Sequence, residues 1–169
     1  MEANKHKIDK LDRAILSFLI KDARMSFLEI ARSCGVSGAA IHQRVRKLEE
    51  DGIISGSSLI VKPSAVGLNV CAFVGIKLSE NNKYPEVIAA LKKIPEIVEC
   101  HFVTGSSALL IKLYCTTYDH FMEIILNTIQ RIPYIQSTDT MISVDNAFDR
   151  PVWVGQETDK EITWRKSIE

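Results

Sequence analysis

The chain has 169 residues, of which 46% are hydrophobic and 25% are charged, and its formal net charge is zero. These values are typical of an ordinary globular protein, and the length allows one large domain or two small ones. The polar N-terminus excludes a secretory signal peptide, and no apolar run approaches the roughly 18 residues of a membrane span. We therefore expect a cytoplasmic protein without a membrane partner.

The charges are unevenly distributed along the chain. Residues 1–62 contain 11 Lys and Arg against 8 Asp and Glu, whereas residues 63–169 contain 10 against 13. The small positive excess in the first third favours contact with a polyanion in that part of the chain. The four cysteines are far apart and form no CxxC pair, so we expect reduced core residues.

The first third contains start and stop signals for three short helices. Asp9 is a plausible N-cap for the first helix, and Ser26 opens the second in a capping-box pattern with Glu29. Gly35 ends the second helix, and Ser37 opens a third that runs to about Asp51. A tight glycine turn between two helices is helix-turn-helix spacing, although any small three-helix bundle uses the same caps.

The third helix has an unusual outward face. Ile41, Val45 and Leu48 have core spacing, and small residues at the helix start permit close approach to another surface. In a DNA major groove, His and Gln side chains suit base edges, whereas Arg and Lys suit phosphates. A solvated basic face is the alternative. We predict a DNA-binding surface formed by Ser37, Gly38, Ala39, His42, Gln43, Arg44, Arg46 and Lys47.

The segment after the third helix has the pattern of a short hairpin. Two β-prone runs within residues 53–61 flank a Gly/Ser turn, which predicts a wing beside the helices. Pro63 and Gly67 then bracket a linker.

The remaining chain contains an internal repeat. The sequence IKL occurs at 76–78 and 111–113, and IPEI at 94–97 is matched by IPYI at 132–135. Each half therefore has the order strand, helix, Ile-Pro corner, strand. Two such halves predict a ferredoxin-like βαββαβ sandwich, so the whole chain is α+β. Strands that are apolar on both faces indicate a dimer that packs sheet on sheet.

The end of the chain is partly apolar. It contains Trp153 and Trp164, and we expect it to pack on the sheet or on a neighbouring subunit. The predicted organisation is thus a winged helix-turn-helix domain over 1–62, a sandwich over 63–148 and a tail over 149–169.

No catalytic or metal site is evident. Cys100 and His101 are adjacent on a predicted strand, so their side chains point to opposite faces and cannot form a dyad. We expect Cys100 to be buried in the core. The sequence has no zinc-ligand spacing, no GxGxxG motif and no Walker loop. We therefore expect no enzyme activity, no catalytic residue, no metal and no cofactor.

Three stretches resemble the Lrp/AsnC family of bacterial and archaeal transcription regulators. They are LDRAIL at 11–16, RVRKLEEDGIISG at 44–56 and VECHFVTG at 98–105, and the resemblance covers about residues 8–147. It implies a winged helix-turn-helix joined to a ligand-sensing sandwich called the RAM domain. It also implies double-stranded DNA as a partner, homodimers that commonly assemble into octamers, and a small effector between dimers, usually an amino acid.

The resemblance also implies the position of the effector site. The family loop usually reads Gly-Asp-x-Asp, but this chain has Gly105-Ser106-Ser107-Ala108, so both carboxylates are missing. Asp139 alternates away from the last-strand threonines and is a poor replacement on a regular strand. We therefore expect ordinary amino acids to bind weakly, unless hydroxyls, carbonyls and water suffice for the ammonium group. The predicted site comprises Thr104, Gly105, Ser106, Ser107, Ala108, Thr138 and Thr140.

Two other functions are open to the same sequence. The helix-turn-helix could mediate protein contacts in a small-molecule-sensing oligomer, although its basic third helix favours DNA. An enzyme on the sandwich would lack any catalytic constellation.

Overall fold

The computed structural model describes residues 7–155. Its contacts divide the chain into two compact units. Among the described residues, the first unit contains 7–59 together with 149–155, and the second is Ile60–Phe148. The chain therefore passes from one unit to the other twice.

Three helices form the first unit: α1 (Lys10–Lys21), α2 (Phe27–Cys34) and α3 (Gly38–Glu50). Each helix contributes aliphatic side chains to one core, in which Ile15, Ile30 and Ile41 are fully buried. Burial of such a side chain stabilises the fold by roughly 1.5–3 kcal/mol. This core confirms the amphipathic spacing of the helices.

The helix caps lie at the predicted residues, but the capping box is at a different helix from the one predicted. Ser26 Oγ accepts a hydrogen bond from the backbone N–H of Glu29 at 3.2 Å, as predicted for the start of α2. The complete reciprocal capping box, however, is at α1. There Asp9 Oδ1 accepts from the Asp12 N–H at 2.8 Å, and Asp12 Oδ2 accepts from the Asp9 N–H at 3.1 Å. Gly35 ends α2 with φ +67°, a conformation that favours glycine.

The predicted hairpin after α3 is absent as paired strands. Residues 54–62 form neither helix nor strand, and Leu59 and Ile60 are 75% and 91% exposed. An isolated two-stranded hairpin is marginal in water because little burial offsets its ordering. β-propensity alone therefore overestimated the order of this segment.

The second unit contains one four-stranded sheet with helices on one face. Its strand order is β2-β3-β1-β4 and every pairing is antiparallel, which confirms the ferredoxin-like prediction. The elements in chain order are β1 (Val70–Leu78), α4 (Tyr84–Leu91), β2 (Ile97–Phe102), β3 (Leu109–Cys115), α5 (Tyr118–Glu123) and β4 (Ile135–Ser143).

The second predicted helix of the repeat is only partly regular. After α5 the chain continues as a π-helical turn over Ile124–Thr128 and a 3₁₀ turn over Ile129–Arg131. Ile124, Ile125 and Ile129 are nevertheless buried against the sheet, so the irregular turns preserve the apolar face.

The two faces of the sheet differ. Ala72, Val74 and Ile76 are fully buried under the helices. The alternate residues of β1 point to an open face, where Phe73 is paired with Lys112 on β3 and Met141 on β4.

The expectation that the cysteines are core residues is correct for Cys115, which is buried, and in part for Cys34, which packs against the helical core. All four are free thiols, and Cys100 is exposed because β2 is an edge strand. Cys100 and His101 pair with successive residues of β3, so they alternate between faces as predicted.

The described part of the tail does not pack on the sheet. Val154 packs against the helical core of the first unit, which replaces the prediction for this segment; Trp164 lies outside the described residues. Among the helices within residues 7–155, none combines the length and apolar character needed to cross a membrane.

Candidate DNA interface and effector pocket

The start of α3 is held by Ser37. Its hydroxyl accepts a hydrogen bond from the backbone N–H of Ala40 at 3.2 Å, which satisfies one of the free donors of the first turn. Ser37 and Ala39 are exposed and Gly38 is half-buried. The helix therefore opens with small residues at the surface, as its sequence predicts.

The faces of α3 divide as expected at most positions. Ile41, Val45 and Leu48 are buried. The residues of the outward face are exposed and comprise His42, Gln43, Arg46 and Lys47. Together they form a polar and basic surface along one side of the helix.

Two of the outward residues already have partners. The ring of His42 meets the ring of Phe27 edge-on with centroids 4.5 Å apart, which positions the imidazole. Arg46 Nε donates to Glu50 Oε1 at 2.9 Å, but the two side chains are 81% and 61% exposed. Such a surface pair contributes little and leaves Arg46 available to another anion.

Arg44 does not share that outward surface. Its Nη1 donates to Asp9 Oδ2 at 2.6 Å and to Asp12 Oδ1 at 3.2 Å, and the Asp12 side chain is fully buried. Two carboxylates of the first unit therefore already engage its guanidinium, which favours a structural role for Arg44 over the predicted phosphate contact.

The same ion pairs shift the ionisation of their members. The backbone N–H of Asp12, followed by the Arg44 guanidinium, lowers the pKa of Asp9, and the hydrogen bond to Asp9 raises the pKa of Arg44. The contribution of Asp9 to stability is therefore present above pH 3.8, its ordinary pKa. It is lost as the pH falls through the lower pKa of the folded state.

Sequence spacing contained a signal for this cluster. Arg44 follows Ile41 by three residues and precedes Leu48 by four, so it borders the core stripe of α3. On α1, Asp12 precedes Ile15 by three residues and Leu16 by four, so it borders the core stripe of that helix. Opposite charges that border two core stripes indicate an ion pair between helices.

The loop after β2 borders a cavity in the second unit. The Val103 N–H donates to the Ala108 carbonyl at 3.0 Å, and the Ala108 N–H donates to the Ile76 carbonyl at 2.9 Å. Gly105 has φ +118°, which favours glycine in this turn. The cavity has a volume of about 480 Å³ and is lined by Lys77, Leu78, Asn81, Phe102, Val103, Thr104, Gly105, Ser106, Ser107, Ala108 and Gln136.

The structure joins only part of the predicted effector site. The five loop residues line the cavity, but the two last-strand threonines do not. Thr138 pairs with the helix-covered residue Ile76, and its hydroxyl accepts from Gln130 Nε2 at 2.8 Å. Thr140 pairs with Val74 on the same face. Sequence reasoning missed Lys77, although its alternation on β1 places it on the open face.

Ser107 reaches the open face of the sheet through a gap at Gly75. A Cβ atom added to Gly75 would lie 2.6 Å from Ser107 Oγ, so only glycine leaves room for this hydroxyl. Gly75 pairs with Asp139, and Lys77 pairs with Ser137 on the same face. The register is regular at these pairs, so Asp139 lies on the side that Ser107 covers.

No metal centre accompanies these sites. Within residues 7–155, no group of three or more His, Cys, Asp or Glu side chains is arranged to hold a metal ion.

Comparison with known proteins agrees with both units. A winged helix-turn-helix DNA-binding model matches residues 8–55, and an Lrp/AsnC ligand binding domain model matches residues 71–153. Regulatory protein AsnC of Escherichia coli K12 is 39% identical over 145 residues, which are 86% of this chain and 95% of that protein. The HTH-type transcriptional regulator FL11 of Pyrococcus horikoshii is 35% identical over 80% of this chain and 88% of its own.

Solved structures show the same arrangement of elements. Escherichia coli AsnC superposes with a TM-score of 0.82 at 38% identity, covering 87% of this chain and 99% of that one. A feast or famine regulatory protein from Mycobacterium tuberculosis, complexed with L-methionine, gives 0.78 at 27% identity, covering 85% and 96%.

Removal of the Arg44 side chain should destabilise the first unit. Arg44→Ala removes the ion pairs with Asp9 and with the buried Asp12 carboxylate, and we expect the unfolding free energy to fall by about 2 kcal/mol. Arg46→Ala removes an exposed pair on the same helix and should cost less than about 0.5 kcal/mol. Hydrogen exchange of the amides in α1 and α3 measures both. Equal losses in the two variants would contradict the assignment.

Proposed function

Because the chain belongs to the Lrp/AsnC family of DNA-binding transcription regulators, we propose that α3 is its recognition helix. The exposed side of α3 offers amide and imidazole groups for base edges and two cations for phosphates. We also propose that it acts in the cytoplasm. The proposed DNA contacts are Ser37, Gly38, Ala39, His42, Gln43, Arg46 and Lys47.

The observation that carries this proposal is the different placement of the basic residues on the two sides of α3. Arg44 faces α1, and its ion pairs with Asp9 and Asp12 hold the helix. The neighbouring cations Arg46 and Lys47 remain exposed. A helix that is fixed on one side and basic on the other suits insertion into a major groove.

We further propose that the open sheet face is covered by a second copy of the chain. Met141 is 55% exposed there. Lys112 lies beside the rings of Phe73 and Tyr114, 5.7 and 5.6 Å from their centroids, and pairs with Glu99 at 3.2 Å. A dimer would bury the apolar side chains of this mixed face and could place two recognition helices in successive major grooves. Assembly of dimers into an octamer is the larger state that the family resemblance implies.

The cavity beside the loop is the proposed effector site, and we infer that it takes an amino acid. Lys77 offers a cation for a carboxylate, and Asp139, one residue pair away on the open face, offers an anion for an ammonium group. Diagonal neighbours on paired strands are about 7–8 Å apart, a gap that a small zwitterion can bridge. The expectation of weak amino-acid binding assumes that the loop shares a face of the sheet with Thr138 and Thr140. Ser107 lies instead on the open face, which also carries Asp139.

The DNA prediction concerns individual side chains of α3. Arg46→Ala and Lys47→Ala should each weaken binding on all sequences and reduce the salt slope of the DNA affinity by about one. His42→Ala and Gln43→Ala should instead change the preference among sequences by roughly 1–3 kcal/mol per lost base contact.

Filter binding to genomic fragments across a salt series provides the measurement. Lys92→Ala, an exposed cation of the second unit, is the matched control. Unchanged affinity and slope in the Arg46→Ala/Lys47→Ala double variant would refute the DNA interface and leave the helices as a surface for protein contacts.

The oligomer prediction concerns the open sheet face. Light scattering should give a mass of at least twice the 19.0 kDa of the chain. Met141→Lys places a charge on the proposed interface and should shift the population toward the monomer. Leu126→Lys alters a similarly exposed residue, at 48%, on the helical side and should not. A 19.0 kDa particle for the wild type at micromolar concentration would contradict the proposal.

The effector prediction concerns Asp139. Calorimetry against the twenty amino acids should identify at least one that binds, and Asp139→Asn should weaken it roughly tenfold or more, because a charged hydrogen-bond partner is lost. Asp119→Asn, which neutralises an exposed carboxylate at the start of α5, should leave affinity unchanged. Binding of 2-oxo acids in preference to amino acids would contradict the role of Asp139.

A further inference from the structure

The tail of the chain is bound to the first helix by an arginine. Arg13 Nη1 donates to the carbonyl oxygens of Val154 at 3.0 Å and Gly155 at 3.2 Å. The match to the ligand binding domain model ends at residue 153, so both acceptors lie beyond it. The contact is therefore a property of this chain's C-terminal extension rather than of the matched domain.

The tail has a local conformation that presents these carbonyls. The ring of Trp153 folds over the backbone at Gly155, in the space that a Cβ atom at that residue would occupy. The Trp153 side chain is still 72% exposed, and it therefore shapes the tail more than it fills the core.

Apolar side chains support the same contact. Val154 packs against the helical core, and a cavity of about 610 Å³ lies between the tail and the helices. Its walls include Leu16 and Leu19 of α1, Val45 of α3, and Pro151 and Val152 of the tail. Pro151 and Val152 thus provide one side of this cavity and the helices the other.

The contact lies away from the proposed DNA contacts. Of α3, only Val45 and Glu49 line the cavity, and the outward residues of that helix do not. The Arg13 side chain binds the tail through its Nη1, which donates to the two carbonyls. Its Nε is buried and has no acceptor among residues 7–155.

We propose that the C-terminal tail is a built-in ligand of the DNA-binding unit. It docks on the far side of α1 and α3 through Arg13 and Val154. It stabilises the helices and leaves the recognition face free.

A double-mutant cycle on the full chain tests the docking. Arg13→Ala and a chain ending at Phe148 should each lower the melting temperature of the first unit by several degrees, about 4–8 °C for a lost kcal/mol in a domain of this size. Combined, the two changes should lower it no further than the truncation alone, because Arg13 then has no tail to hold. Arg24→Ala, an exposed arginine beyond α1, is the control.

Additive losses would overturn the proposal, since Arg13 would then stabilise the unit independently of the tail. Val154→Asp offers a second variant at full length, and it should reproduce the loss because Val154 packs against the helical core. A wild-type melting temperature in this variant would also overturn the proposal.

DNA affinity tests the claim that the recognition face is free. On a genomic fragment bound by the wild type, the truncated chain should bind within about twofold of the full chain when measured well below its melting temperature. A change of tenfold or more would overturn this part of the proposal.

Discussion

The arrangement of the DNA-binding unit depends on one buried ion pair. Asp12 is fully buried, and removing its charge from water is costly unless a cation compensates for it. Arg44 provides that cation and also binds the capping residue Asp9. Because Arg44 belongs to α3 and both carboxylates belong to the start of α1, the cluster fixes α3 to the helix behind it. Charge thus specifies an orientation that apolar packing alone would define less sharply.

The ion pairs of Arg44 give neighbouring cations of one helix different environments. Arg44 and Arg46 are two residues apart, so they point about 200° apart around the helix axis. The first points toward α1 and the second toward solvent, although composition treats them as equal. A basic stretch in a recognition helix therefore cannot be read as a row of phosphate contacts. The position of each cation relative to the core stripe decides its role.

The sequence was sufficient for the fold where a periodic pattern existed. The duplicated IKL and Ile-Pro landmarks predicted a four-stranded antiparallel sandwich, and the caps predicted three helices. It was insufficient where the outcome depends on a partner that is distant along the chain. Arg44 meets Asp9 across 35 residues and Arg13 meets Val154 across 141, and helical spacing alone identifies the partner of neither. The prediction of a hairpin after α3 was wrong for a related reason, because β-propensity does not supply a neighbouring strand.

The loop beside the effector cavity shows the same limit on a smaller scale. Alternation along β4 correctly separated Asp139 from Thr138 and Thr140, but it did not show which side the loop takes. The gap at Gly75 shows it, because Ser107 Oγ lies 2.6 Å from the place that a Cβ atom of this residue would take. A single glycine in a central strand thus marks the face toward which the loop points. Asp139 lies on the same face, and the proposed role of its carboxylate rests on that placement.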